Sequence, residues 1–85
     1  MRITVSSRAE KELKKIHKID QIAIVKKVRS LTVQLHKEKL TGYKDIFRVR
    51  AGQYRIVYRE RKDEIYIILI GHHKDIYLLL TQLFK

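Results

Sequence analysis

Ile46-Phe47-Arg48-Val49-Arg50-Ala51-Gly52-Gln53-Tyr54-Arg55-Ile56-Val57-Tyr58-Arg59 is the stretch on which the fold turns. Phe47, Val49 and Ala51 alternate with Arg48 and Arg50, and after Gly52 the residues Tyr54, Ile56 and Tyr58 alternate with Arg55, Val57 and Arg59. A period of two marks half-buried strands. Gly52 supplies the positive φ of a tight connection, so the two strands are expected to be antiparallel neighbours. One face of the hairpin is then apolar, with Tyr54 and Tyr58 in the core beside Ile56, and the other carries arginines. Cross-strand pairing brings Arg48 or Arg50 close to Arg55. Guanidinium groups gathered in this way repel one another, and an anionic partner offsets that repulsion.

Upstream, Ile3 and Val5 alternate with Arg2 and Thr4 in a short strand that ends at Ser6-Ser7. Ser7 with Glu10 reads as a capping box for a first helix over Arg8 to His17, with Ala9, Leu13 and Ile16 on its apolar side. Asp20 is the expected N-cap of a second helix, whose stripe is Ile24, Val28, Leu31 and Leu35. The two helices, joined at Lys18-Ile19, are expected to form an antiparallel hairpin over one sheet face. His17 and His36 read as surface residues at helix ends. Residues 37–45 read as a polar connection pinned by Leu40 and Tyr43.

Downstream, Glu60-Arg61-Lys62-Asp63 is a charged turn, and Arg59, Arg61 and Lys62 read as edge or turn charges that discourage sheet pairing. Ile65-Tyr66-Ile67-Ile68-Leu69-Ile70 is a β-branched run that suits a central strand covered on both faces. Gly71 ends it, and His72-His73-Lys74-Asp75 turns into a last helix with the stripe Ile76, Leu79, Leu80 and Leu83. Tyr77, Leu78 and Phe84 fall off that stripe, which points to a partner surface. The fold class is therefore α+β: one small domain over residues 1–85, with a strand and helical hairpin packed on a mainly antiparallel four-stranded sheet, and a C-terminal helix. The sheet face with Arg48, Arg50 and Arg55 is expected to stay open.

With 20 Lys and Arg against 9 Asp and Glu, the net charge is +11. This balance favours nucleic acid, an acidic protein or an anionic surface as partner. Cysteine is absent, which excludes disulfides and thiolate metal sites and fits an intracellular, cytoplasmic location. Neither secretion nor membrane insertion is expected. Adjacent histidines at a strand end point apart, so no metal site is expected at His72 and His73.

The segment Phe47 to Tyr58, followed after a charged turn by an apolar strand and Gly71-His72-His73-Lys74-Asp75-Ile76-Tyr77, resembles the RelE/ParE superfamily of toxins from type II toxin–antitoxin modules. The resemblance implies a RelE-like fold and a ribosome-dependent endoribonuclease that cleaves messenger RNA in the A site and needs no cofactor. It also implies a cognate antitoxin, which is expected to be acidic or amphipathic and to cover the arginines. Operator DNA would be met only through the antitoxin complex. Carried over residue by residue, the catalytic set is Arg48, Arg50, Arg55, His73 and Tyr77, and RNA is held by Arg48, Arg50, Arg55 and Lys74. Arg55 and Tyr77 match the family pattern directly. Arg48 and Arg50 stand where the best-known RelE toxin has lysines, and His73 stands where a Gly-His-Arg sequence has arginine. The His73 departure implies a weakened toxin or one moved towards acid–base chemistry, as toxins of the YoeB type carry a histidine near their C-terminal end. Two alternatives have the same fold: a ParE-like inhibitor of DNA gyrase, and an inactive toxin that acts as a regulator with antitoxin and operator DNA.

Metal-independent cleavage of RNA requires the 2′-hydroxyl to attack the adjacent phosphate, a proton acceptor, a proton donor and positive charge on the phosphorane. Arg55 suits the last role, because its fork meets two phosphate oxygens and it stays charged. Arg48 and Arg50 share that role or hold neighbouring phosphates, and as guanidinium groups they are poor bases. His73, with an ordinary pKa near ~6.5, is the natural proton-transfer group. Tyr77 stacks on a base or orients the phosphate.

Overall fold

The computed structural model describes residues 2–33, 38–39 and 44–83. The expectations for Leu35, His36, Leu40, Tyr43 and Phe84 lie outside the described residues. The elements in chain order are β1 (Arg2–Val5), α1 (Ser7–Lys15), α2 (Lys18–Ser30), β2 (Glu38–Lys39), β3 (Ile46–Ala51), β4 (Tyr54–Arg61), β5 (Glu64–His72) and α3 (Ile76–Leu83). They form one sheet in the order β1-β5-β4-β3-β2, in which only the β1–β5 pair is parallel.

The arginine hairpin forms as its alternation predicts. Ala51 pairs with Tyr54 across a two-residue loop, and Gly52 has φ +61°. No other described residue has positive φ, so the loop needs glycine at its first position, the pattern of a type II′ turn. The register sets Arg50 opposite Arg55 and Arg48 opposite Val57.

The β-branched run is the second strand from the β1 edge, and both its faces are covered. Val57 pairs with Leu69 and Tyr58 with Ile67, so Ile68 is an extra residue that bulges out of the ladder. Ile65, Ile67 and Ile70 pack with Ala9, Ile24, Leu31, Ile56 and Tyr58 under the helical hairpin. Ile68 and Leu69 instead pack with Ile46, Val57, Ile76 and Leu80 under α3. The bulge thus hands two consecutive apolar residues to α3. Gly71 permits the close approach, since a Cβ there would lie 3.1 Å from Ile76 Cδ1.

Five expectations need correction. The described sheet has five strands rather than four, because Glu38–Lys39, taken as part of a polar connection, pairs with Arg48 and Phe47. Two residues are too few to show a period. The arginine face is not wholly open, since Val57 and Ile46 interrupt it and α3 packs on them. Ser6, not Ser7, caps α1: its Oγ accepts from Ala9 N at 3.0 Å and donates to Ile68 O at 2.7 Å, which ties the cap to the bulge. α1 then ends at Lys15, and His17 rather than Asp20 caps α2, its Nδ1 accepting from Ile19 N at 3.4 Å. Asp20 lies in the first turn, where its charge suits the helix dipole. Finally, β4 is an interior strand flanked by β3 and β5, so Arg59 and Arg61 are not edge charges; both reach Asp45.

Of the last helix's stripe, Ile76 and Leu80 are buried and Leu79 packs beside them, while Leu83 at the helix end is exposed. Tyr58 is fully buried and stacks on Phe47 at 5.7 Å between ring centroids. Its hydroxyl finds no hydrogen-bond partner among the described residues. Burial, with the nearby Glu60 carboxylate, pushes its pKa up to about 12.

Candidate RNA-binding groove

Successive residues of a strand point to opposite faces, so the pairing register alone decides which arginines meet. Arg48 and Arg50 from β3, Arg55 from β4, Tyr77 from the first turn of α3 and Glu38 from β2 line a groove of about 210 Å³ at the hairpin end of the α3 face. The first four were read from the sequence as site residues. Glu38 was missed: it becomes a site residue only because β2 places it directly opposite Arg48.

Arg48 is the hub of the groove. Its Nε donates to Glu38 Oε1 at 2.8 Å, Nη2 donates to the same oxygen, and Nη1 donates to the Tyr77 hydroxyl. The guanidinium carbon also lies 5.5 Å from the centroid of the Tyr77 ring. The hydrogen bond to Glu38 raises the Arg48 pKa above its ordinary value, more than burial lowers it. The Glu38 side chain is 63% exposed and that of Arg48 32%, so the pair is bathed in water. Pairs of that kind contribute about 0–1 kcal/mol.

Arg55 is held differently. Its Nη1 donates to the carbonyls of Tyr54 at 3.1 Å and Gly52 at 3.3 Å, which aims it at the hairpin tip. Neither Arg50 nor Arg55 has an ion pair with a carboxylate among the described residues. Facing each other across β3 and β4, they hold positive charge that no carboxylate among the described residues pairs with.

His73 and Lys74 stand at the rim rather than in the lining. The His73 backbone N–H donates to Gln53 O at 2.8 Å, which fastens the turn after β5 to the tip of the hairpin. Desolvation lowers the pKa of His73, and His72, Arg55, Lys74 and Arg50 lower it further, so the ring is mostly neutral near neutral pH. His72 packs edge-on against Tyr54 with 5.7 Å between centroids, and its Nδ1 accepts from Lys74 N at 3.3 Å. It reads as a packing residue. Lys74 is exposed, and its side chain lines no part of the groove. The His72 and His73 rings do not point apart as expected but lie 4.5 Å between centroids. Among the described residues no group of three or more His, Cys, Asp or Glu is placed to hold a metal ion, and no helix is long and apolar enough to cross a membrane.

Residues 3–77 match the family model of the ParE toxin of the type II toxin–antitoxin system parDE. The chain belongs to this toxin family. No curated protein matches it. Among solved structures, it is similar to the toxin RelE of E. coli, solved as a mutant in the free state, with TM-score 0.76 and 23% identity over 92% of this chain and 88% of that one. The YoeB dimer from Staphylococcus aureus gives TM-score 0.73 and 23% identity, covering 86% of this chain and 97% of that one. The intact E. coli RelBE toxin–antitoxin complex gives TM-score 0.69 and 26% identity, covering 82% and 93%. The protein is thus a toxin of the RelE/ParE superfamily, with the α+β fold of its relatives.

Proposed function

We propose that this toxin is a metal-independent endoribonuclease that cuts messenger RNA on the ribosome, acting in the cytoplasm and neutralised by a cognate antitoxin. The observation that carries the reading is the groove: two uncompensated arginines, a third arginine shared by a carboxylate and a tyrosine, and a histidine at the rim. The antitoxin is supported by the toxin–antitoxin complexes among the structures of the same fold.

In this reading Arg55 and Arg50 hold the scissile phosphate and stabilise the charge that grows on its oxygens. The Glu38 carboxylate accepts the 2′-hydroxyl proton, the 2′-oxygen forms its bond to phosphorus, and the bond from phosphorus to the 5′-oxygen breaks. The His73 imidazolium gives its proton to that leaving oxygen. The products are a 2′,3′-cyclic phosphate and a 5′-hydroxyl. Tyr77 positions Arg48 and the phosphate through its hydroxyl. Lys74 at the rim adds charge for the neighbouring RNA.

Because His73 has a lowered pKa, its imidazolium is depleted as pH rises through a value below the ordinary ~6.5. Cleavage limited by His73 is therefore expected to fall with rising pH across neutrality, and His73→Arg is expected to flatten that decline. The direct test is translation of a defined message on ribosomes with the purified toxin, cut sites being mapped by primer extension. Cutting supports the nuclease reading, and no cutting by either the unsubstituted protein or His73→Arg rejects it. The match to the ParE model favours a second reading, inhibition of DNA gyrase, which a supercoiling assay detects. Antitoxin binding with neither activity would indicate a regulatory toxin.

A further inference from the structure

The Arg48 fork that faces the groove already holds an anion. Nε and Nη2 both donate to one oxygen of Glu38, while Nη1 serves Tyr77. The carboxylate is delivered by main-chain pairing, since Glu38 is the register partner of Arg48 between β2 and β3. The pair is water-exposed and so displaceable, and a phosphate entering the groove also meets Arg50 and Arg55. A carboxylate and a phosphate ask the same of a guanidinium: N–H donors aimed at their oxygens.

We propose that Glu38 is a built-in competitor for the phosphate site at Arg48, so that RNA binding exchanges partners: a backbone phosphate takes Arg48 and the released Glu38 carboxylate turns to the 2′-hydroxyl. The competition at Arg48 stands on the geometry of the groove, whereas the use of the released carboxylate as a base rests on the nuclease reading. The exchange couples two events. Without RNA the base is tied to an arginine, and with RNA the same contact frees it.

The experiment uses the full chain and a short single-stranded oligoribonucleotide with 2′-O-methyl groups throughout, which binds but has no 2′-hydroxyl to attack. Affinity is read by fluorescence anisotropy at low ionic strength, because phosphate contacts weaken steeply with salt. Glu38→Gln keeps the shape of the side chain and removes its charge, and it is expected to bind about two- to fivefold tighter than the unsubstituted toxin. In an Arg48→Ala background the same glutamine replacement is expected to change affinity by less than half as much. Equal or weaker binding by Glu38→Gln overturns the proposal. So does a gain that persists in full without Arg48, since it would be a general effect of net charge. Cleavage of an unmodified message is read separately. A Glu38→Gln toxin that binds tighter and cuts more slowly supports both halves, and one that binds tighter and cuts at the unsubstituted rate overturns the base half. If the unsubstituted toxin never cuts, the nuclease reading fails while the binding cycle still decides the competition.

Discussion

Strand β4 carries arginines at both ends of the same sheet face, and the two ends treat them in opposite ways. At the end near the β4–β5 turn, Arg59 and Arg61 lie 3.6 and 3.7 Å from one carboxylate oxygen of Asp45. At the hairpin end, Arg55 donates to main-chain carbonyls and faces Arg50. Between them Val57 is buried under α3 and separates the two clusters. At one end two arginines share a carboxylate, and at the other Arg50 and Arg55 have none among the described residues, which is the end where the proposed function needs an anion to bind. The two ends differ in the arginines' neighbours rather than in their place on the strand, and the proposed function rests on that difference.

The comparison breaks first at Arg55. Arg55→Ala is expected to cut the rate of message cleavage by about 100- to 1,000-fold with an unchanged circular-dichroism spectrum. Retained cleavage would show that the uncompensated end is no more functional than the compensated one.

A second expectation concerns the helix that divides the two ends. Gly71→Val places methyl groups where a Cβ alone would already lie 3.1 Å from Ile76 Cδ1 and 3.4 Å from Leu79 Cδ1. It is expected to destabilise the fold by roughly 1–3 kcal/mol in urea denaturation and to loosen the contact between Tyr77 and Arg48.

Tyr58→Phe tests the apolar side of the same strand. Removing a buried hydroxyl that lacks a partner among the described residues is expected to stabilise the protein by about 1 kcal/mol. The folded pKa of Tyr58, about 12, lies above the ordinary ~10, so its contribution is complete below pH ~10 and is lost as pH rises towards 12. Chemical denaturation across that window should show the decline, and the phenylalanine variant should lack this part of it.

The smallest effect is expected at the compensated end. Asp45→Ala removes the shared partner of Arg59 and Arg61, and a solvent-accessible pair of this kind contributes about 0–1 kcal/mol. Stability should change by no more than that, and cleavage should not change. A large gain in RNA binding would mean that the two ends differ less than their ion pairs indicate.

Much of this was legible in the residues. The alternation around Gly52 located the hairpin, its turn and the arginine face, and the run from Ile65 to Ile70 located a strand buried on both sides. These signals are local, because a strand of six or more residues repeats its period often enough to be recognised. The caps of both helices were each misplaced, because Ser6 and His17 were chosen by where β1 and the helix turn leave the chain. Of the groove, Arg48, Arg50, Arg55 and Tyr77 were named in advance and are brought together. His73 and Lys74 were also named, and they stand at the rim.

The sequence by itself determined which faces are apolar, where the charges alternate and where the chain must turn, since these follow from side-chain polarity taken at a period of two or 3.6 residues. Only the tertiary structure decided the rest. The bulge at Ile68 directs two neighbouring residues to α3, α3 closes over Val57, and the two-residue strand β2 sets Glu38 against Arg48. Each depends on packing or pairing between segments far apart in the chain, and no local period encodes such a contact.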